Sequence, residues 1–340
     1  MKRMFIMIIL VSMFIMLAIS GYSYASTGQA KENDVLKLRI ANVTQVDHPM
    51  NKGCELFAKK IDESTNGRIK ITNYPARQLG DDRELFEQVQ HGALDIALVS
   101  AAPVGSTSIL AAALQLPFLF NDWNQWLKVM NDKVTEDLFA GFEKNNVKAL
   151  AAFDSGFRHV VTVAKPVHSV EDFKGLKFRT AESPLHVDIF KSLGASPTPI
   201  PYGEIYTCLQ NRVIDGLEMD LPAIIMEKHY EVAKFVTLTK HFTWPGILMV
   251  NLKLWNSLSV EDQQLFAKTA KEVMAEMIGY IKSQEAKSMD TLKANGITVI
   301  ELSKEQRQGM INATQGVVEE YFQKDPTIKA FYEYANSVKE

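Results

Sequence analysis

Cysteine is scarce in this chain, with only Cys54 and Cys208 among 340 residues. Two cysteines so far apart do not make a metal site, because a structural zinc needs closely spaced ligands. Both lie on the apolar faces of predicted helices, where two buried free thiols or one disulfide are each compatible with the pattern. The sequence therefore predicts no metal centre built on cysteine.

Motifs for nucleotide binding and for catalysis are missing as well. The chain contains no Walker loop and no G-x-G-x-x-G, C-x-x-C, H-E-x-x-H or G-x-S-x-G sequence, and its seven histidines are scattered. Asp81 and Asp82 are adjacent, but at the start of a predicted helix they are typical capping anions. Because no nucleophile–base pair stands out, we expect neither an enzyme nor a bound cofactor or metal.

Basic charge is not in excess either. The net charge is −3, and removal of the first 25 residues takes away Lys2 and Arg3 but no acid, which makes it −5. A weakly acidic chain lacks the basic surface that a nucleic-acid-binding protein needs. We therefore expect no nucleic-acid partner.

Long apolar runs are absent after the first 25 residues. Before that point two basic residues precede an apolar run, Met4–Ile19, and small residues follow at Ser23 and Ala25. This order is typical of a secretory signal peptide over residues 1–25, cleaved near Ala25. A membrane anchor is the alternative, although the run is short for a helix that spans a bilayer. We predict a soluble protein in the periplasm or on the extracytoplasmic face of the cell membrane.

What the chain does contain is a double succession of strand and helix patterns. Its 340 residues exceed a usual single domain, and a boundary is predicted near Asp154–Gly156. The amphipathic pattern over Ser259–Ala294 predicts a long helix that bridges both halves. We predict an α/β, periplasmic-binding-protein-like fold with a ligand cleft between two lobes. Lobe I would comprise residues 35–154 plus about 246–285, and lobe II residues 155–245 plus about 286–338.

The stretch Gly175–Asp220 predicts a β-α-β-α-β unit, whose strand ends face a crevice. Arg179 lies at the carboxyl end of its first strand. A buried guanidinium needs an anion, and its planar fork matches a carboxylate with two parallel hydrogen bonds. The anion is either a bound ligand or a protein carboxylate such as Glu218 or Glu182.

Four further side chains are candidates for the cleft. Arg158, next to a β-branched run, has the same two interpretations as Arg179. Tyr202 and Trp244 lie next to turns, where each walls a pocket or packs in the core. His48, before a proline, is either a helix N-terminal residue or a cleft residue.

At these residues the sequence resembles a known family. The runs FKGLKFRTAESPLH (173–186) and SLGASPTPIPYGEIYTCLQNRVIDGLEMD (192–220) are similar to LKGLKIRVPxSPLY and ALGAxPTPMPFGEVYTALQTGVVDGQENP. The latter runs are typical of the solute-binding receptors of tripartite ATP-independent periplasmic (TRAP) transporters, of the C4-dicarboxylate-binding type. Ordered matches at DHP, GRIKI, QLGDDRELFEQVQHGALDIALVS, LPFLF and GFRHVV extend the likeness over the whole mature chain.

The resemblance implies two lobes that close over a small organic acid and a loaded form that docks on a membrane permease. It places the arginine that clamps the ligand carboxylate at Arg179 and a second cleft arginine at Arg158. The other positions that it implies are Tyr202, Glu182, Ser100, and Ala41 or Asn42.

One departure from the family run concerns the ligand. The asparagine of DGQENP, which commonly helps to hold the carboxylate, is Met219 here, and the proline is Asp220. A thioether cannot donate a hydrogen bond, so the carboxylate must be held differently or the ligand differs. Because Asp220 or Glu182 could accept from hydroxyl groups, the departure favours a sugar acid or hydroxy acid over a plain dicarboxylate.

Taken together, the residues and the resemblance predict an extracytoplasmic receptor, a monomer, that delivers a small organic acid to a TRAP permease. Two alternatives use the same cleft. One is an exported enzyme that acts on small carboxylic acids, and the other is a ligand-sensing module of a membrane receptor.

Overall fold

The computed structural model describes residues 35–339. The predicted signal peptide, residues 1–25, lies outside the described residues. Within the described range, no helix combines the length and the apolar character that crossing a bilayer requires.

Eleven strands of the described range form two sheets. The first sheet has the order β2-β1-β3-β10-β4, and β10 runs antiparallel to both of its neighbours. Its central strand β3 is buried at every residue, as expected for an apolar run covered on both faces. The strands of this sheet are β1 (Leu36–Ala41), β2 (Ile69–Tyr74), β3 (Ile96–Ser100), β4 (Val147–Phe153) and β10 (Gly246–Asn251).

The second sheet has the order β11-β9-β5-β8-β6-β7. Its strands are β5 (Arg158–Thr162), β6 (Lys177–Thr180), β7 (Ser196–Pro199), β8 (Gly216–Asp220), β9 (Phe235–Leu238) and β11 (Thr298–Glu301). Strand β8 lies between β5, which is antiparallel to it, and β6, which is parallel. This order brings Arg158 of β5 and Arg179 of β6 to opposite sides of one strand.

Helices connect and cover the strands. They are α1 (Pro49–Ser64), α2 (Asp82–His91), α3 (Ala101–Val104), α4 (Trp123–Met130), α5 (Lys133–Ala140), α6 (Pro184–Ser192), α7 (Ile205–Gln210), α8 (Leu221–Met226), α9 (Leu252–Ser257), α10 (Val260–Ala294), α11 (Lys304–Lys324) and α12 (Pro326–Ser337). The run Ser303–Gln306 has the S-x-x-Q pattern that predicts a capping box, and the box is present, with reciprocal bonds between Ser303 and Gln306.

Two apolar patterns, Pro222–Val232 and the C-terminal one from Ser303 to about Val338, predict helices longer than those in the structure. The helix predicted over Pro222–Val232 stops at Met226, because Lys228 adopts a left-handed conformation with φ 58°. The C-terminal pattern divides into two helices at Asp325, since Pro326 cannot donate a backbone hydrogen bond to the preceding helix. Both predictions were therefore too long.

The long helix α10 confirms the predicted bridge. Its 35 residues bury the predicted stripe of Phe266, Ala270, Val273, Met277 and Ile281. It packs against α1 and β4 on the side of the first sheet and against α8 and β11 on the side of the second. One continuous helix thus connects the two halves of the fold.

We propose that the two lobes follow the two sheets. Strand β10 joins the first sheet and β11 joins the second, although both follow the main part of the second sheet in sequence. Helix α12 packs on α4 and α5, which belong to the segment of the first sheet, so we propose to place it with lobe I. Lobe II would then end before α12, and not at about residue 338 as expected.

Both cysteines carry free thiols, in agreement with the first of the two interpretations. Cys54 of α1 is buried and Cys208 of α7 is half-buried. Burial raises the pKa of the Cys54 thiol strongly, so this thiol stays protonated.

Candidate functional site

Strand β8 presents two carboxylates on one face. Residues two apart in a strand point to the same side, and Glu218 and Asp220 both reach Arg158 of the paired strand β5. Arg158 donates from Nε to Glu218 Oε2 at 2.5 Å and from Nη1 to Asp220 Oδ2 at 2.7 Å. A third bond runs from Nη2 to the Glu218 carbonyl at 2.8 Å. The charge of Arg158 is therefore balanced within the protein.

Asp220 has a second set of partners on its other oxygen. Asp220 Oδ1 accepts from the Ala223 backbone at 2.9 Å, which caps α8, and lies 3.6 Å from His48 Nε2. His48 Nδ1 accepts from the Met50 backbone, which leaves Nε2 to carry the hydrogen. Burial alone would raise the pKa of Asp220. The His48 imidazole and the Arg158 guanidinium outweigh burial and hold this pKa well below its usual value.

Arg179 is paired far less completely. Its Nε and Nη2 donate to the Ile200 carbonyl at 3.0 and 2.7 Å. Its Nη1 lies 3.6 Å from Glu218 Oε1, beyond hydrogen-bond distance, and neither atom has a partner among residues 35–339. Burial lowers the pKa of Arg179 to about 10, and the nearby Glu218 only partly opposes this shift.

A small cavity lies beside these charges. It is lined by Val43, Thr44, His48, Asp82, Arg158, Tyr202, Asp220 and Trp244. The first four belong to the segment of the first sheet and the others to that of the second. The enclosed space is about 10 Å³, roughly what one water molecule needs. The Trp244 ring covers the Arg158 guanidinium, with Cζ 3.9 Å from the ring centroid.

Asp82 brings a further acid to the cavity. Asp81 caps α2 in a capping box with Glu84, whereas Asp82 Oδ1 accepts from the Ser100 backbone at 3.0 Å. Burial and the neighbouring Asp81 raise the pKa of Asp82 to about 7. The prediction of a capping role therefore holds for Asp81 but was incomplete for Asp82.

The comparisons with known proteins agree with this architecture. The family described as bacterial extracellular solute-binding protein, family 7, matches residues 40–325. The chain belongs to this family. The resemblance deduced from the motifs is thereby confirmed, and so is the two-lobed α/β fold.

Several members of family 7 are close in sequence or structure. The 2,3-diketo-L-gulonate-binding periplasmic protein YiaO of Escherichia coli is 31% identical over 288 residues, which are 85% of this chain and 87% of YiaO. A TRAP periplasmic solute-binding protein of Bradyrhizobium, solved in complex with D-galacturonate, has a TM-score of 0.85 and 31% identity, covering 89% of this chain and all of that one. One of Polaromonas, bound to D-erythronate, has a TM-score of 0.82 and 28% identity over 87% and 98% of the two chains.

In this family 7 protein the structure separates the predicted site residues into two groups. His48, Arg158, Tyr202, Asp220 and Trp244 line the cavity, and Arg179 lies next to Arg158 across Glu218. The remaining four, Asn42, Ser100, Glu182 and Met219, are absent from the cavity lining.

Two of these four side chains, those of Asn42 and Ser100, have hydrogen-bond partners nearby in the sequence. The Asn42 amide bonds Asn51 and Thr44, and the Ser100 hydroxyl caps α3. Glu182 is half-buried, and its carbonyl accepts from Ser106 at 3.0 Å. Their roles at the ligand remain predictions.

Met219 lies away from the cavity. Its side chain is fully buried in a hydrophobic cluster with Leu217 and Ile224. It alternates along β8 with Glu218 and Asp220, so it points to the opposite face of the sheet from Arg158. A role of Met219 at the ligand stays a prediction, since a sequence motif gives a position but not the direction of a side chain.

Three cavity residues were not predicted from the sequence. Val43 and Thr44 carry no distinguishing pattern, so nothing in the sequence could have identified them. Asp82 had a signal, since a helix start with two successive acids needs only one of them as its cap.

Proposed function

We propose that this protein binds a small organic acid outside the cytoplasm and delivers it to a TRAP membrane permease. The observation that carries the proposal is the Arg179 guanidinium, which is buried yet has one nitrogen without an acceptor within residues 35–339. A buried donor that lacks a partner destabilises a protein unless a ligand completes it. A carboxylate is the group that best fits a guanidinium edge.

The contrast with Arg158 supports Arg179 as the ligand-binding cation. Arg158 has both Glu218 and Asp220, whereas Arg179 shares only the far oxygen of Glu218. One carboxylate thus serves two guanidinium groups. An acid that enters beside Arg179 would supply the acceptor that its Nη1 lacks among residues 35–339.

The cavity walls favour a hydroxylated acid. Asp82 and Asp220 offer acceptors for hydroxyl groups, and the rings of Tyr202 and Trp244 offer flat apolar surfaces. The names of YiaO and of the structures from Bradyrhizobium and Polaromonas all specify sugar acids. We therefore propose uronates or aldonates as ligands, ahead of C4-dicarboxylates.

A thermal-shift screen tests this function. The mature protein would be heated with uronates, aldonates, C4-dicarboxylates, 2-oxoacids and aromatic acids, one at a time. A ligand at a hundredfold excess over its Kd stabilises the folded state by about 2.7 kcal/mol, so a true ligand raises the Tm clearly. A screen in which no acid raises the Tm would contradict the proposal.

The same samples distinguish a receptor from an enzyme. Proton NMR of the recovered acid after prolonged incubation should show an unaltered molecule, because a receptor returns its ligand unchanged. A new product would favour the exported enzyme.

We further propose that the chain is processed near Ala25 and acts as a monomer. N-terminal sequencing of the exported protein and light scattering would check both. A gene for a two-subunit permease beside this one would favour transport over the sensory alternative.

A further inference from the structure

A second set of contacts crosses between the two lobes, separate from the charges around Glu218. Arg77 lies in the turn that follows β2, and Glu227 follows α8. Arg77 Nη1 donates to Glu227 Oε1 at 3.2 Å and Nη2 to Oε2 at 3.3 Å, which makes a bidentate pair. Gln45 Nε2 also donates to Glu227 Oε1 at 3.1 Å.

This pair differs from the ion pairs on the protein surface. The Arg77 and Glu227 side chains are only 24% and 13% exposed, so salt screens them less than a fully solvated pair. Arg77 adopts a left-handed conformation in its turn, with φ 64°. Asp81, which follows this turn, accepts from the Gly203 backbone at 3.3 Å. Two separate contacts therefore join residues 77–81 of lobe I to lobe II, one at Glu227 and one at Gly203.

The pair is also connected to the cavity wall. The Arg77 guanidinium lies over the Tyr202 ring, with Cζ 5.2 Å from the centroid. Arg77 Nη1 donates in addition to the Val43 carbonyl at 3.1 Å. Since Tyr202 and Val43 both line the cavity, Arg77 holds one wall residue from each lobe.

We propose that Arg77, Glu227 and Gln45 form a latch that keeps the lobes closed and positions Tyr202 against the bound acid. A space of about 10 Å³ admits nothing larger than a water molecule, so an acid enters only when the lobes separate. Separation must break the latch, and closure must remake it. The latch therefore sets the rate of solute release without contact between Arg77 and the solute.

The latch rests on one part of the proposed function, the closure of the lobes over a solute. It does not depend on which acid is bound. Its first test needs no ligand. Spin labels at Lys59→Cys on α1 and Lys191→Cys on α6, two exposed sites, report the distance between the lobes in a Cys208→Ser background. Cys54 is fully buried and escapes labelling.

Three variants are compared in this background: Arg77→Gln, Glu227→Gln, and the exchange Arg77→Glu with Glu227→Arg. We expect each single variant to shift the distance distribution to longer values and the exchange to recover part of the wild-type distribution. Recovery stays partial because the exchange removes the contact with Tyr202. Arg83→Gln is the matched control, since it breaks a pair with Glu87 inside one helix of one lobe.

The second test measures release. With D-galacturonate as the probe, stopped-flow dissociation should be roughly three- to tenfold faster in Arg77→Gln, with little change in the association rate. If D-galacturonate fails to bind the wild type, the best acid of the thermal-shift screen replaces it as the probe, and the distance measurement still decides on the latch. Unchanged distances in both folded single variants, or an equal shift in Arg83→Gln, would overturn it.

Discussion

Arg158 and Arg179 show how two buried guanidinium groups on one sheet take different roles. Both lie next to strand β8 and both approach Glu218. Arg158 has two carboxylates at hydrogen-bond distance, while Arg179 has a backbone carbonyl and one nitrogen without a partner in the described part of the chain. We propose that the first is a structural cation and that the second is available to an incoming anion.

Arg179→Ala tests this difference. Truncation of a cation that pairs with a buried carboxylate costs about 2–5 kcal/mol, so we expect solute affinity to fall roughly a hundredfold or more. Isothermal titration with the best acid of the thermal-shift screen measures the change, after circular dichroism has shown that the variant is folded. Near-native affinity would contradict the assignment.

Arg158→Ala should behave differently. Its removal leaves Glu218 and Asp220 buried without their main counterion, which typically destabilises a protein by about 3–5 kcal/mol. Urea unfolding should therefore show a much lower free energy of unfolding than for Arg179→Ala. Equal losses in the two variants would mean that both cations are structural.

Glu285 predicts a pH dependence of stability. It lies on α10 and accepts from the Phe157 backbone at 3.3 Å. Burial, with a smaller contribution from Asp220, raises its pKa to about 7. Below about pH 4.5 both states hold the proton, whereas between about pH 4.5 and 7 only the folded state keeps it, so stability falls as pH rises through this window.

We therefore expect Glu285→Gln to weaken this fall. Urea unfolding at pH 5 and pH 7.5 measures it, and the variant should lose less stability between the two pH values than the wild type. Asp82 and Asp154, whose pKa values burial also raises to about 7, keep part of the dependence. An unchanged pH profile would show that Glu285 ionises freely in the folded protein.

Strand β8 separates a polar face from an apolar one, and Met219→Asn tests this alternation. The substitution would place an amide in a hydrophobic cluster without a described partner, at a cost of about 1–3 kcal/mol on mutational scales, besides the lost packing. We expect a lower Tm and an unchanged order of preference among acids. A changed preference with native stability would restore Met219 to the ligand site.

The strands and helices were largely predictable, because the sequence shows the alternating apolar pattern of strands and the apolar pattern of helices. The apolar pattern over Phe235–Leu238 predicts strand β9, and that over Ser259–Ala294 predicts helix α10; both have these bounds to within one residue. Helix ends were less predictable, since the stop at Met226 depends on the backbone conformation of Lys228. The direction of the Met219 side chain follows from the strand period and not from the motif, because successive residues of a strand point to opposite faces.

The contacts between the lobes could not be predicted. Arg77 and Glu227 lie 150 residues apart, and each resembles an ordinary surface charge in the sequence. Their pairing depends on the angle between two separately folded halves, which local patterns do not contain. The same reason hid Asp82, whose place at the cavity follows from the approach of β8 and Trp244 from the other lobe.

The long helix α10 has a mechanical consequence. Its 35 residues span roughly 52 Å at 1.5 Å per residue, and a hydrogen-bonded helix does not stretch. Any rotation between the sheets that it joins must therefore bend its axis and lengthen the amide bonds on the convex side. We expect amides around Glu285 to exchange with deuterium faster in the solute-free protein than in the loaded one, and equal exchange rates would show that the rotation axis lies elsewhere. Deuterium exchange at one segment of α10 would then report whether a solute occupies the cleft.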